Sequence, residues 1–258
     1  MKIKMFKIKN FDKYTSEMAM SLLDKAFFID KIRPDIDILD FGCADGSLLK
    51  FISQFVNDEV VLSGFDIEPE MIKLAQKKMP AEDLYWRWSD FLNNSEKNAI
   101  VLSSILHEIY HYSTESIGAF WDRITTPQFE YIIIRDMCPS RSIDRPSDIN
   151  DVVKLRNRAR TDKIQEFEDN WGSIENNKNL IHFILKSHYV DCGNWDREVK
   201  ENYFSLFRED LLVESRLTKY EIIYHEHYTL PYIKNCARED FDINIRDFTH
   251  LKLILRRK

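Results

Sequence analysis

The chain has only four cysteines, Cys43, Cys138, Cys192 and Cys236, and no two of them stand in CxxC spacing. That scarcity argues against a zinc knuckle or a disulfide scaffold and fits a reducing compartment. Positive charge is not in excess either. There are 37 basic and 43 acidic residues, a formal net charge of −6, so no global field points to nucleic acid or to an anionic membrane. No apolar run approaches the roughly 20 residues that span a bilayer. The first residues, MKIKMFKIKNF, alternate charge and apolarity and lack the apolar stretch of a signal peptide. Internal repeats and low-complexity tracts are missing as well. What is present is globular: 258 residues, 44% hydrophobic and 31% charged, enough to bury a substantial core. The expectation is a soluble, cytoplasmic protein that does not enter a membrane.

From residue 35 to about 137 the pattern alternates strand and helix. Short apolar strands are expected at Asp37–Phe41, Val60–Phe65, Leu84–Trp88, Ala99–Ile105 and Tyr131–Ile134. Between them, Leu48, Leu49, Ile52 and Phe55 form one helical stripe, and Ile72, Ala75 and Met79 another. Pro69 suits a first helical turn because its missing N–H would be unpaired there. Ser113 with Glu115 reads as the start of a further helix carrying Ile117, Phe120 and Ile124. Such alternation implies a parallel sheet wrapped on both faces. Ligands of such sheets sit at the carboxyl ends of the strands, where the winding reverses.

Upstream, Met18, Leu22, Ala26 and Ile29 predict a helical cover over residues 12–33, either packing on the sheet or closing over a ligand. Downstream, residues 138 to about 215 are polar, charged and mostly helical in pattern, and Tyr220–His225 and Leu251–Leu255 return as strands. The expected organisation is one domain over 1–258 with this segment as an insertion.

The stretch DILDFGCADGSLLKF, residues 37–51, joins the first strand to the first helix through small residues. A phosphate-binding loop needs Lys-Ser/Thr after its last glycine, whereas Ser47 and Leu48 follow here, and a dinucleotide site needs GxGxxG. The small residues instead alternate as Gly42, Ala44 and Gly46, and Asp40 and Asp45 would repel a pyrophosphate but suit a cationic ligand. Asp66 ends the second strand, where an acid can accept both hydroxyls of a ribose. Asp90 ends the third, within reach of an adenine amino group. Acids at three successive strand ends describe an adenosine whose 5′ substituent is cationic.

DFGCADG, then FDIEPEM, SDF and LSSILHEIY, in this order, resemble the class I S-adenosylmethionine-dependent methyltransferases over roughly residues 14–137. The resemblance implies a Rossmann-like α/β fold with a seven-stranded, mostly parallel sheet, helices on both faces and a C-terminal antiparallel strand pair. It implies S-adenosylmethionine as cofactor, with S-adenosylhomocysteine as product. Gly42, Cys43, Ala44 and Gly46 would form the backbone platform for the methionine part, ordered by Asp40. Asp66 would hold the ribose, Ile67 would flank the adenine, and Asp90 and Phe91 would meet its edge. Ser103 and Ser104 would border the opening to the acceptor. Ala44 departs from the pattern, standing where a glycine is usual.

Methyl transfer from a sulfonium needs the nucleophile aligned and, for some acceptors, a proton removed. The candidates follow the fourth strand: His107, Glu108, Tyr110, His111 and Tyr112, with His107 either a general base or an orienting, packing histidine. The Asn/Asp-Pro-Pro-Tyr/Phe signature of DNA amino-methyltransferases is absent. A small-molecule acceptor is expected, with an RNA or protein acceptor, or a non-catalytic binding module, as alternatives. Lys154, Arg156, Arg158 and Arg160 read as a solvated helix face or as a site for an acidic acceptor. His225 and His227 share a strand face, but nothing nearby completes a metal site.

Overall fold

The computed structural model describes residues 21–79, 83–85, 98–113, 115–190 and 193–258. Seven strands form one sheet in the order β3-β2-β1-β4-β5-β7-β6. They are β1 (Ile38–Phe41), β2 (Leu62–Phe65), β3 (Asp83–Tyr85), β4 (Ala99–Ser103), β5 (Tyr131–Met137), β6 (Tyr220–Tyr228) and β7 (His250–Arg257). The first five pair in parallel, and β7 runs antiparallel between β5 and β6. The order reverses at β1, with β2 on one side and β4 on the other. The crevice of an open α/β sheet lies at such a reversal.

The helices of the first half are α1 (Leu22–Lys25), α2 (Ser47–Ile52), α3 (Pro69–Lys78), α4 (Leu106–Tyr112) and α5 (Ile117–Thr125). Period-two alternation decides which face each strand residue serves. Ile100, Leu102, Ile132 and Ile134 point into a core with Phe120, Trp121 and Ile124 of α5. Ala99, Val101 and Ile133 point the other way, onto Phe28, Leu49, Ile52 and Ile72. Two helix boundaries differ from the sequence reading. The helix carrying Leu48, Leu49 and Ile52 ends there, leaving Phe55 more than half exposed. The helix after residue 113 starts at Ile117, capped by Ser116, whose Oγ accepts from the Ala119 N–H at 3.1 Å.

Between β5 and β6 lie α6 (Ile149–Arg158), α7 (Thr161–Trp171), α8 (Asn177–Ser187), α9 (Trp195–Glu198) and α10 (Arg208–Leu212), and α11 (Pro231–Phe241) connects β6 to β7. All but α10, whose Leu211 packs with Phe120 and Trp121 in the core under the sheet, build a core of their own. Val152, Leu155, Ile164, Phe167, Phe183 and Trp195 pack with Ala237 and Phe241 of α11 and with Ile243 and Ile245 behind it. The segment that read as polar and charged in sequence therefore carries an apolar interior.

Candidate active site

The strand-to-helix turn after β1 puts three alternate residues in the left-handed region: Gly42 at φ +84°, Ala44 at +45° and Gly46 at +74°. Successive reversals of this kind turn backbone amides toward one side of the loop. Space enforces glycine at the two ends. A Cβ on Gly42 would stand 3.0 Å from the Ile105 side chain, and one on Gly46 3.0 Å from Cβ of Ala75 in α3. Ala44, at φ +45°, holds a conformation that costs an L-residue about 1–2 kcal/mol. Ala44→Gly relieves that strain and gives back about 0.5–1 kcal/mol in unfolded-chain entropy. The expected outcome is an unfolding free energy in urea higher by about 0.5–1 kcal/mol.

The turn is fastened to the end of β2. The Gly42 and Cys43 amides donate to the Phe65 carbonyl at 2.7 and 3.0 Å. Asp66 accepts from the Ala44 N–H at 2.9 Å and, through its other oxygen, from the Glu68 N–H at 2.8 Å. Burial pushes its carboxyl upward, and those two amides oppose the shift. Each oxygen keeps a lone pair for a ligand hydroxyl.

Asp40 and Asp45 do not stand as bare charges for a cationic ligand, as the sequence suggested. Asp45 bonds Lys78 and accepts from the Ser47 N–H. Asp40 is buried, and burial raises its carboxyl to about 7, against the pull of Lys25. Lys25, itself pushed down to about 8 by burial and by Arg135, is steadied by Asp40, Asp136 and Asp45. It was not singled out in sequence, where it reads as one polar residue on an amphipathic helix. The neighbouring Asp24 meets Arg135 at 2.8 Å, Lys252 at 2.8 Å and the Tyr228 hydroxyl at 2.6 Å, so α1 is tied to the ends of β5, β6 and β7.

At the end of β4, Ser104 turns to φ +56°, which stops the strand short of the expected Ile105. Its Oγ accepts from Arg135 at 2.8 Å. Ser103 Oγ is buried with no hydrogen-bond partner in the protein, so a water or a ligand atom in the cavity can satisfy it.

One cavity of about 940 Å³ has Asp40, Gly42, Cys43, Ala44, Asp66, Ile67, Ser103, Ser104, His107 and Glu108 all on its wall, while Gly46 is not on it. Asp90 and Phe91 lie outside the described residues. On the far side the cavity reaches the helical segment, at Tyr189, Arg197, Glu198, Glu201 and Tyr203.

His107 is held differently from a general base. Its Nδ1 lies 2.6 Å from Asp136 and its Nε2 2.9 Å from Glu201, all three buried. Burial alone would lower the imidazole, but the charges and hydrogen bonds of Asp136 and Glu201 raise it to about 10. Glu201 is correspondingly held at about 2, since His107, Arg197 and Lys186 outweigh its burial. At neutral pH His107 is an imidazolium whose two protons are both engaged, a geometry against the base expected from sequence. The reactive atoms of His107, Glu108 and Glu201 fall within 4.8 Å of one another. That spacing suits a metal ion, yet no ring nitrogen is left to ligate one.

Glu108 faces the cavity with a third of its side chain exposed, and Arg197 lies 3.6 Å away. Burial and the Glu201 charge raise its carboxyl to about 7. Asp136, Glu201, Arg197 and Lys186 were missed in sequence. Only Asp136 carried a signal, as a charged residue at the end of the buried run YIIIRDM.

The basic segment does not join the site. Among the described residues, none of Lys154, Arg156, Arg158 or Arg160 lines the cavity. Lys154 pairs with Asp242, Arg156 with Glu168 and Arg160 with Asp162. His227 lies 3.2 Å from the Cys138 carbonyl and packs on Phe248. No helix among the described residues is long and apolar enough to cross a membrane.

No protein-family model matches the sequence, and no curated protein matches it. Solved structures do match. A SAM-dependent methyltransferase from Anabaena variabilis superposes with a TM-score of 0.50 at 14% identity, over 99% of this chain and 98% of that one. Magnesium protoporphyrin IX methyltransferase ChlM from Synechocystis, with bound SAH, gives 0.50 at 13%, over 99% and 91%. The plantazolicin methyltransferase BamL, in complex with a triazolic desmethylPZN analog and SAH, gives 0.51 at 13%, over 95% and 87%. At these identities the likeness establishes the fold, the Rossmann-like class I methyltransferase arrangement.

Proposed function

We propose that this chain is an S-adenosylmethionine-dependent methyltransferase acting on a small-molecule acceptor. The observation that carries the reading is the convergence in one cavity of the 42–46 turn, the Asp66 carboxylate and the unpartnered Ser103 hydroxyl. Those three fit, respectively, the amino-acid end, the ribose and the methionine chain of the donor. The fold shared with the methyltransferases supports it. The donor supplies an activated methyl group on sulfur, so the protein's work is alignment and exclusion of water.

The division of the cavity supports a catalytic role over a purely binding one. The donor seat lies at the ends of β1, β2 and β4, and the same cavity continues to side chains of the helical segment. We assign that segment the shaping of the acceptor pocket. His107 acts as a fixed cation that docks the segment through Glu201, and Glu108 is the polar group that meets the acceptor. The pairing of Lys154, Arg156 and Arg160 with nearby acids, away from the cavity, favours a small molecule over RNA.

The test is calorimetric titration with S-adenosylhomocysteine. The wild type is expected to bind, and Asp66→Ala to bind about 1–3 kcal/mol more weakly, the cost of stranding buried ligand hydroxyls. Equal affinity in the two proteins would remove Asp66 from the ribose site, and no binding by either would remove the donor.

A further inference from the structure

We propose that the acceptor is an amine, bound as its ammonium beside Glu108 and relieved of one proton by that carboxylate. This rests on the methyltransferase reading above and names the acceptor class for the same cavity.

The first argument is a charge shortfall. Around the acceptor side stand four buried or cavity-facing carboxylates, Asp136, Glu108, Glu198 and Glu201. Three cations face them. His107 lies between Asp136 and Glu201. Lys186 donates to the backbone carbonyls of Glu198 and Glu201. Arg197 is shared, 3.6 Å from Glu108, 3.6 Å from Glu201 and 4.0 Å from Glu198. The least compensated group is Glu108: it shares the Arg197 guanidinium with two other carboxylates, and its other neighbouring cation, His107, is already held between Asp136 and Glu201. The groups acting on it are Glu201 and Asp66, which push its proton affinity up, and His107 and Arg197, which pull it down. A ligand bringing one positive charge completes the set. A carboxylate acceptor would add a fifth anion.

The second argument is the wider wall. Among the described residues lining the cavity, ten carry carboxylates and four carry lysine or arginine. A cleft of that sign concentrates cations and repels anions. Tyr112, Tyr189 and Tyr232 line the cavity too, and aromatic faces attract ammonium groups.

The chemistry balances. The ammonium gives one proton to Glu108, which becomes a neutral carboxyl group. The freed nitrogen lone pair forms the N–C bond to the donor methyl, and the S–C bond breaks with its electron pair going to sulfur, leaving a neutral thioether. The methylated nitrogen carries the positive charge, and the Glu108 proton leaves to solvent as product departs. A carboxyl group poised near 7 suits this work at neutral pH.

The experiment is calorimetry on the full chain saturated with S-adenosylhomocysteine, using matched probes: tyramine against 4-hydroxyphenylacetate, tryptamine against indole-3-acetate, hexylamine against hexanoate. At least one amine is expected to bind ten-fold or more tightly than its carboxylate partner. Near pH 6.5 its binding should release up to about one proton, read from the buffer dependence of the enthalpy, because an ammonium drives Glu108 to ionise. Glu108→Gln should lose that release and bind the amine about ten-fold more weakly. Carboxylates binding as tightly as amines, no amine binding to the protein that holds S-adenosylhomocysteine, or unaltered proton release in Glu108→Gln would each overturn the acceptor assignment. Failure of S-adenosylhomocysteine itself to bind would overturn the donor reading, and this proposal with it.

Discussion

Replacing His107 with alanine is expected to lower the unfolding free energy by about 3–5 kcal/mol, the cost of breaking a buried ion pair from one side. Asp136 and Glu201 are both buried and would be left facing each other across an empty site, without the imidazolium that separates them. The loss is larger than a lost hydrogen bond because each stranded carboxylate keeps its desolvation cost and loses its partner. Urea denaturation of the two proteins measures it. The difference is also pH-dependent, with a fixed sign. A histidine raised from 6.5 to about 10 in the folded state contributes its full stabilisation below pH 6.5 and loses it as the pH climbs through 10. The gap between wild type and His107→Gln should therefore be widest at or below pH 6.5 and narrow toward pH 10. A gap that widens over that interval would mean that His107 is buried as the neutral ring, and would restore it as a candidate base.

Asp136→Ala is expected to cost a similar amount, about 3–5 kcal/mol, for a compound reason. One oxygen of Asp136 accepts from the Leu106 N–H at 2.6 Å and the His107 N–H at 3.4 Å, at the start of α4. The other meets His107 Nδ1 and the Met137 N–H at 2.7 Å. One carboxylate on β5 thus caps the helix that carries Glu108 and neutralises the histidine beside it. Helix caps alone are worth about 1 kcal/mol, so Asp136→Asn, which keeps an acceptor oxygen and drops the charge, should fall between wild type and alanine. Because Asp136 and His107 share one interaction, the double alanine variant should fall short of the summed losses by about 2–3 kcal/mol. Strict additivity in that cycle would mean that the two residues stabilise the protein independently.

The sheet was legible in sequence because its strands are short apolar runs bounded by turn residues, and because they alternate with helical periodicity. Strand ends were less so. β5 runs on to Met137 where the apolar pattern stops at Ile134, since pairing with β7 carries Arg135 and Asp136 along regardless of their polarity. The turn after β1 was legible too, because a strand, a turn and a helix lie together in the chain and small residues mark where the backbone needs the left-handed region. The acceptor side was not. His107 and Glu201 stand 94 residues apart, and nothing in the run NWDREVKENYF announces that Arg197, Glu198 and Glu201 will face a histidine on another element. Reading His107 as a base followed from its unperturbed titration range. Its two carboxylate neighbours, which change its role, become visible only once the chain is folded.

The core shared by α6 to α9 with α11 sets a limit on how this architecture can be recombined. Ala237, Phe241, Ile243 and Ile245 complete the apolar interior of helices that precede β6 in the chain. A chimera that exchanged residues 138–215 alone would leave those four side chains without the surface they evolved against. A new helical segment can be grafted onto this sheet only as a matched pair, with the stretch linking β6 and β7 travelling alongside. The helical wall of the cavity is then inherited through two distant stretches of sequence that must drift together.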